Sequence, residues 1–255
     1  MSNIIQRARD KLTSISNLNK INKDHDRITA LKNRYAGKRC FIIGNGPSLT
    51  PEDLELLRSH KEFCFGSNRV YQIYGRTKWR PDIYCVQDYK LICASTAEIS
   101  AVDAKLRIVS TVPQWKYPPL KGFLRVRHTM KEFYPEPPEF SEDISDCIYE
   151  GFTVSYMCIQ TAAYLGFREM VLLGVDHSYS QELTADGKVR KFDGVRDHFS
   201  DKDKADNLPQ LYRSTLAYEA AEAYADAHGI KIYNATRGGK LEAFERRPLE
   251  KILED

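Results

Sequence analysis

The apolar run Cys40-Phe41-Ile42-Ile43 stops abruptly at Gly44-Asn45-Gly46-Pro47-Ser48-Leu49, and Pro51-Glu52-Asp53 opens a helical pattern. A short strand-forming run, two glycines and a helix start constrain this stretch to a strand-turn-helix unit. Glycines let a backbone approach an anion closely, and a helix start offers free N–H groups and the positive end of the helix dipole. The spacing is neither a lysine-containing phosphate loop nor a full dinucleotide fingerprint. By itself the loop therefore reads either as a phosphate or nucleotide cradle or as an ordinary strand-to-helix turn.

The same grammar recurs along the chain. Glu62–Ser67, Pro81–Val86, Lys105–Ser110, Glu169–Val175 and Ile230–Ala235 read as strands, each followed by polar residues. Helical patterns lie between several of them: around 51–59, from Thr153 to Gly166, and from about Pro209 to Ala227. Alternating strands and helices predict a single Rossmann-like α/β/α domain over 37–255 with a mostly parallel sheet, whose strand ends line one crevice. Residues 1–36 read as a helical extension of one or two amphipathic helices, which packs on the main domain, mediates self-association or meets a partner. Residues 111–150, rich in prolines and aromatics, read as an irregular insertion, either a lid over the crevice or a plain surface loop. Residues 178–208 read as a long functional loop, and the charged tail ends in a short helix.

With 255 residues, 42% hydrophobic and 29% charged, the chain has ample length for a core. Its formal net charge of +3 is small and dispersed, which argues against a dedicated nucleic-acid binder. No apolar run approaches the roughly 20 residues of a membrane span and no signal-type segment opens the chain, so a cytoplasmic location is expected. The six cysteines show no CxxC pairing and read as reduced core residues. No acid cluster demands a divalent metal; Asp201-Lys202-Asp203-Lys204 resembles a D-x-D motif superficially but reads as a solvated charged face.

Candidate site residues fall at the strand ends. They are Gly44, Asn45, Gly46, Pro47 and Ser48 in the first loop, then Asn68, Gln87, Asp88 and Thr153. Gly174, Asp176, His177, Ser178, Tyr179, His198 and Arg237 complete the set. Amides and hydroxyls suit a base and ribose, and a histidine near neutral pKa suits removal of a proton from an attacking hydroxyl. Arg237, between a strand end and two glycines, reads either as a clamp for phosphate or carboxylate or as a plain turn arginine.

Gly44 to Leu49, Ser67-Asn68, Thr153 to Cys158 with Ala163 to Glu169, Gly174-Val175-Asp176, His198 and Ile230 to Tyr233 together resemble the family 42 bacterial sialyltransferases. They resemble even more the domain-of-unknown-function-115 group, which includes flagellin-modifying glycosyltransferase cores and hydroxymethylpterin pyrophosphokinase-like proteins. The stretches 174–178 and 234–242 carry this second likeness, and the resemblance extends over about residues 38–250. It implies a CMP-activated, sialic-acid-like or Kdo-like sugar donor, an inverting transfer, no metal or other cofactor, and a glycan, glycolipid or glycoprotein acceptor. It implies that Asn45, Asn68 and Thr153 hold the nucleotide with Gln87 a further partner, and that His198 is the general base, with His177 the other candidate. Two departures stand out. His177 and Ser178 occupy positions where the sialyltransferases carry tyrosines, Tyr179 coming one residue late, and Glu150 replaces an arginine. Peripheral association with the inner membrane face and homo-oligomerisation stay open. So do an ATP-dependent pterin pyrophosphokinase-like activity and a non-catalytic nucleotide-binding role.

Overall fold

The computed structural model describes residues 2–200 and 207–254, so the Asp201 to Lys204 run lies outside the described residues. Nine strands form one sheet, all paired in parallel. In chain order they include β1 (Arg39–Ile43), β2 (Cys64–Ser67), β3 (Ile83–Val86), β4 (Leu106–Thr111), β5 (Phe123–Thr129) and β6 (Ile148–Tyr149). β7 (Glu169–Leu173) follows, then an antiparallel hairpin of β8 (Gln181–Leu183) and β9 (Val189–Lys191) outside the sheet. β10 (Lys231–Asn234) and β11 (Glu245–Arg246) complete the set, and the spatial order is β11-β10-β7-β1-β2-β3-β4-β5-β6.

The strand residues alternate between two packed faces, which is why the central runs, β1, β3 and β7, are nearly all apolar. From β1, Cys40 and Ile42 enter one core with α5 (Val154–Tyr164) and α6 (Leu211–His228), while Phe41 and Ile43 enter the other with α2 (Pro51–Ser59). The second face is completed by a 3₁₀ helix (Val70–Arg76) and by α3 (Tyr89–Ala94), α4 (Thr96–Ser100) and α7 (Leu249–Leu253). The α/β fold is as expected. Because β2 flanks β1 on one side and β7 on the other, the winding reverses at β1, and a crevice opens beyond the strand ends there.

The N-terminal extension is one helix, α1 (Ser2–Thr29), and it packs on β5. Asp24 accepts hydrogen bonds from the Arg125 backbone N–H at 3.0 Å and its guanidinium at 3.2 Å. The Asn17 amide donates to the carbonyls of Pro113 and Trp115. The stretch 111–150 is therefore not simply irregular: β5 and β6 extend the parallel sheet. Cys40, Cys64, Cys85 and Cys158 are buried as expected, whereas Cys93 is exposed and Cys147 half-buried. Among the described residues no helix is long and apolar enough to cross a membrane.

Candidate functional site

A cavity of about 800 Å³ opens at the carboxyl ends of β1, β2, β3 and β7. Of the residues expected at the site, Gly44, Asn45, Gly46, Asn68, Gln87 and Asp88 line it. So do Thr153, Gly174, Asp176, His177, Ser178, Tyr179 and His198. Pro47, Ser48 and Arg237 are not among its lining residues.

The glycines of the first loop are required by the neighbouring strand end. A Cβ on Gly44 would run into the carbonyl oxygen of Gly174, and one on Gly46 into the Asp176 carboxylate. The Gly46 N–H donates to Gly174 O at 2.9 Å, and Ser48 Oγ donates to Asp176 Oδ2 at 2.7 Å. Burial pushes the Asp176 carboxyl above its usual range, and the Ser48 hydroxyl and N–H oppose this. The helix start that follows is sealed by its own residues. Thr50 Oγ1 accepts from Asp53 N–H, and the Asp53 carboxylate accepts from Thr50 N–H, a complete capping box. Arg237 then grips the buried Asp53 through both its terminal nitrogens, one at 2.8 Å. Arg237 thus holds a carboxylate of its own chain, and the start of α2 is engaged by its own capping box.

A different helix start faces the cavity. Thr153 is the N-cap of α5, its Oγ1 accepting from Ser155 N–H at 3.3 Å and lying 3.2 Å from the Tyr218 hydroxyl. No acidic residue occupies the first turn of α5, and Thr153, Val154 and Ser155 all line the cavity. Asp88, by contrast, is used locally, as the N-cap of α3 accepting from Leu91 N–H at 3.1 Å. The cap position of the 3₁₀ helix is Arg69, which makes no side-chain capping bond, so Asn68 lies just before the cap.

Three amide side chains among the lining residues carry buried oxygens. Asn45 Oδ1, Asn68 Oδ1 and Gln87 Oε1 have no hydrogen-bond partner, just past the ends of β1, β2 and β3. Asn45 Nδ2 donates to Ser67 O at 3.1 Å, and Gln87 Nε2 to Glu150 Oε1 at 2.9 Å. Buried acceptors without donors are costly, so amide side chains left this way beside a cavity are suited to turn toward a ligand that brings N–H or O–H groups.

Glu150 organises the floor. Its Oε1 also accepts from the backbone N–H groups of Gly151 and Phe152, and Oε2 lies 3.3 Å from His128 Nε2. Burial pushes its carboxyl up, but His128 and these N–H groups outweigh that and hold it below the usual range. His128, Phe152, Tyr89, Trp115, Arg69 and Lys90 line the cavity too and escaped the sequence reading. Phe152, Arg69 and Tyr89 carried a signal, their places beside Thr153, Asn68 and Asp88; His128 and Trp115 sit in stretches with no motif.

The two histidines differ. Burial lowers the His177 pKa to about 4, so its ring is neutral at physiological pH, and Nε2 pairs with Thr215 Oγ1 at 2.8 Å. His198 is half-buried on a loop pinned at both sides. Phe199 N–H donates to Asn45 O at 3.0 Å while its ring is buried, and Asp197 accepts from Ser180 Oγ at 3.0 Å. The Tyr179 and His198 rings meet edge to face, 6.0 Å apart. Among the described residues, no group of three or more His, Cys, Asp or Glu is placed to hold a metal ion.

A family model described as 6-hydroxymethylpterin diphosphokinase MptE-like matches residues 13–182. The chain belongs to the MptE-like family. Among solved structures it is similar to the MAf glycosyltransferase from Magnetospirillum magneticum AMB-1, with a TM-score of 0.53 and 16% identity over 86% of this chain. At that identity the likeness shows the fold, and the chain spans only 35% of that structure's length. No curated protein matches.

Proposed function

We propose that this chain is a glycosyltransferase that moves a sugar from a CMP-linked donor to a hydroxyl of a glycan, glycolipid or glycoprotein acceptor. The observation that carries this reading is the row of unpartnered amide oxygens of Asn45, Asn68 and Gln87. A nucleoside presents an exocyclic amino group and ribose hydroxyls, donors that such a row accepts, whereas a phosphate has only acceptors to offer. The choice of cytidine, and of a sialic-acid-like or Kdo-like sugar, rests on the sequence resemblance. The phosphate belongs near the start of α5, with Arg69 and Lys90 as the cations of the lining.

In the proposed reaction the acceptor oxygen attacks the anomeric carbon as the bond from that carbon to the CMP phosphate oxygen breaks. The bonding pair leaves with the phosphate, and the acceptor proton passes to His198, the half-buried, loop-mounted histidine. His177, neutral and bonded to Thr215, orients its surroundings instead.

The family description supports a second reading, an ATP-dependent diphosphokinase acting on a pterin. Thermal unfolding with CMP, CDP, UDP, GDP and ATP, each with and without magnesium, separates the two. A midpoint raised by CMP or CDP without magnesium is expected. A midpoint raised only by ATP with magnesium would replace the first reading by the second.

A further inference from the structure

Phe152 is an unusual residue to find where it is. Its φ is +55°, a conformation glycine adopts freely and a phenylalanine holds only at a cost in strain. Its side chain does not repay that cost by burial, since the residue is 37% exposed. Strain of this kind persists where the surroundings over-determine it, and they do so here. The Phe152 N–H is held by the Glu150 carboxylate, the Arg213 guanidinium lies 4.7 Å from the ring centre, and the Phe133 ring meets it edge on at 5.8 Å. Arg213 is itself fixed by Glu132. The result is an aromatic ring immobilised at the cavity rather than in the core; Met130, 48% exposed, lines the same cavity.

We infer that Phe152 is the platform on which a pyranose ring of the acceptor rests, an inference that builds on the glycosyltransferase reading above. An aromatic face is electron-rich, and one face of a pyranose presents polarised C–H bonds to it. A rigid ring gives this contact without the entropy of ordering a mobile side chain. The cavity then divides its work: amide oxygens of the strand ends take the donor nucleotide by hydrogen bonds, and the rim at Phe152 takes the acceptor by an apolar contact.

Saturation-transfer NMR on the intact chain tests this, with CMP present and a mixture of methyl galactoside, methyl glucoside, methyl N-acetylglucosaminide and a short serine- and threonine-containing peptide as probes. Saturation concentrated on the C–H protons of one sugar face is expected. Phe152→Leu, of similar bulk but without π electrons, is expected to weaken glycoside binding about tenfold, and Phe152→Tyr to stay within about twofold. Phe152→Gly, at ease with this backbone, serves as a second loss variant that keeps the fold and is expected to match the leucine variant. The CMP-induced rise in unfolding midpoint is expected to be the same in all four proteins. Undiminished glycoside binding in the Leu and Gly variants overturns the inference. So does saturation of a serine- and threonine-containing peptide in place of the glycosides. Loss of the CMP response in those variants alone would make Phe152 a base-stacking residue and equally overturn it. Absence of the CMP response in the wild type would instead strike the donor reading, a distinguishable failure.

Discussion

Two helices start beside the crevice, and they have opposite fates. α2 follows the glycine loop and has Glu52 and Asp53 in its first turn, a closed capping box and Arg237 across it. α5 follows Gly151-Phe152, has one capping hydroxyl and no acid in its first turn, and opens onto the cavity. A carboxylate in the first turn satisfies the dipole internally; its absence leaves the N–H groups for something else. The sealed corner and the cavity-facing corner of one molecule thus differ by the acids of the first helical turn. Substitutions at the α2 corner should cost stability and spare binding, and those at the cavity corner should do the reverse.

The largest effect is expected on the cavity side. His198→Ala is expected to lower transfer by about 10²- to 10⁴-fold while leaving the CMP-induced midpoint shift intact. Full activity in that variant would move the base to His177. The next effect concerns His177 and acid. Its pKa is about 4 in the folded chain against 6.5 when unperturbed, so below pH 6.5 the unfolded chain takes up a proton that the folded chain refuses. Stability from this group is complete above 6.5 and is lost as the pH falls toward about 4, a total of about 3 kcal/mol. Urea midpoints measured across that window should fall steeply, and His177→Asn, which tolerates the local φ of +51°, should flatten the fall. An unchanged slope would show that the imidazole is not the titrating group.

On the α2 side, Arg237→Ala strands Asp53, whose side chain is 7% exposed. Because the arginine is itself half-exposed, the expected loss is moderate, about 1–2 kcal/mol in chemical denaturation. The CMP response should not change. If it were lost, the start of α2 would belong to the binding site and the contrast between the two helices would collapse.

Much of the fold was legible because β1, β3 and β7 are nearly continuous apolar runs, the pattern of strands buried on both faces, and β2, β4 and β10 are short apolar stretches bounded by polar turn residues. β5 was not, since Arg125 and Arg127 interrupt its apolar residues and prolines crowd its flanks; β6 and β11 are too short to carry any period. The sequence also displayed the glycines of 44–46 without their reason, because the carboxylate that forbids a Cβ on Gly46 belongs to Asp176, 130 positions on. Arg237 and Asp53 meet across 184 positions, so neither announces the other. The cavity-lining side chains at strand ends were readable as a class, yet the unsatisfied state of their amide oxygens, and the backbone strain at Phe152, exist only in three dimensions.

The smallest predicted effect tests the contrast most directly. Thr153→Val removes the cap of α5 and its contact with Tyr218, and is expected to cost about 1 kcal/mol of stability. Loss of the cap alone does not show that the helix start meets an anion, because any cap behaves so. Thr153→Asp separates the two roles: aspartate caps as well as threonine, so stability should be kept, but it brings a carboxylate to a helix start that has none. Titration of CMP by calorimetry should then show an affinity about fivefold weaker than wild type, from about 1 kcal/mol of repulsion at the helix start. The uncharged ribonucleoside cytidine should bind both proteins equally. Equal loss for cytidine and CMP would mean that the phosphate lies elsewhere in the cavity, and that the open start of α5 is a structural feature as closed to ligand as that of α2.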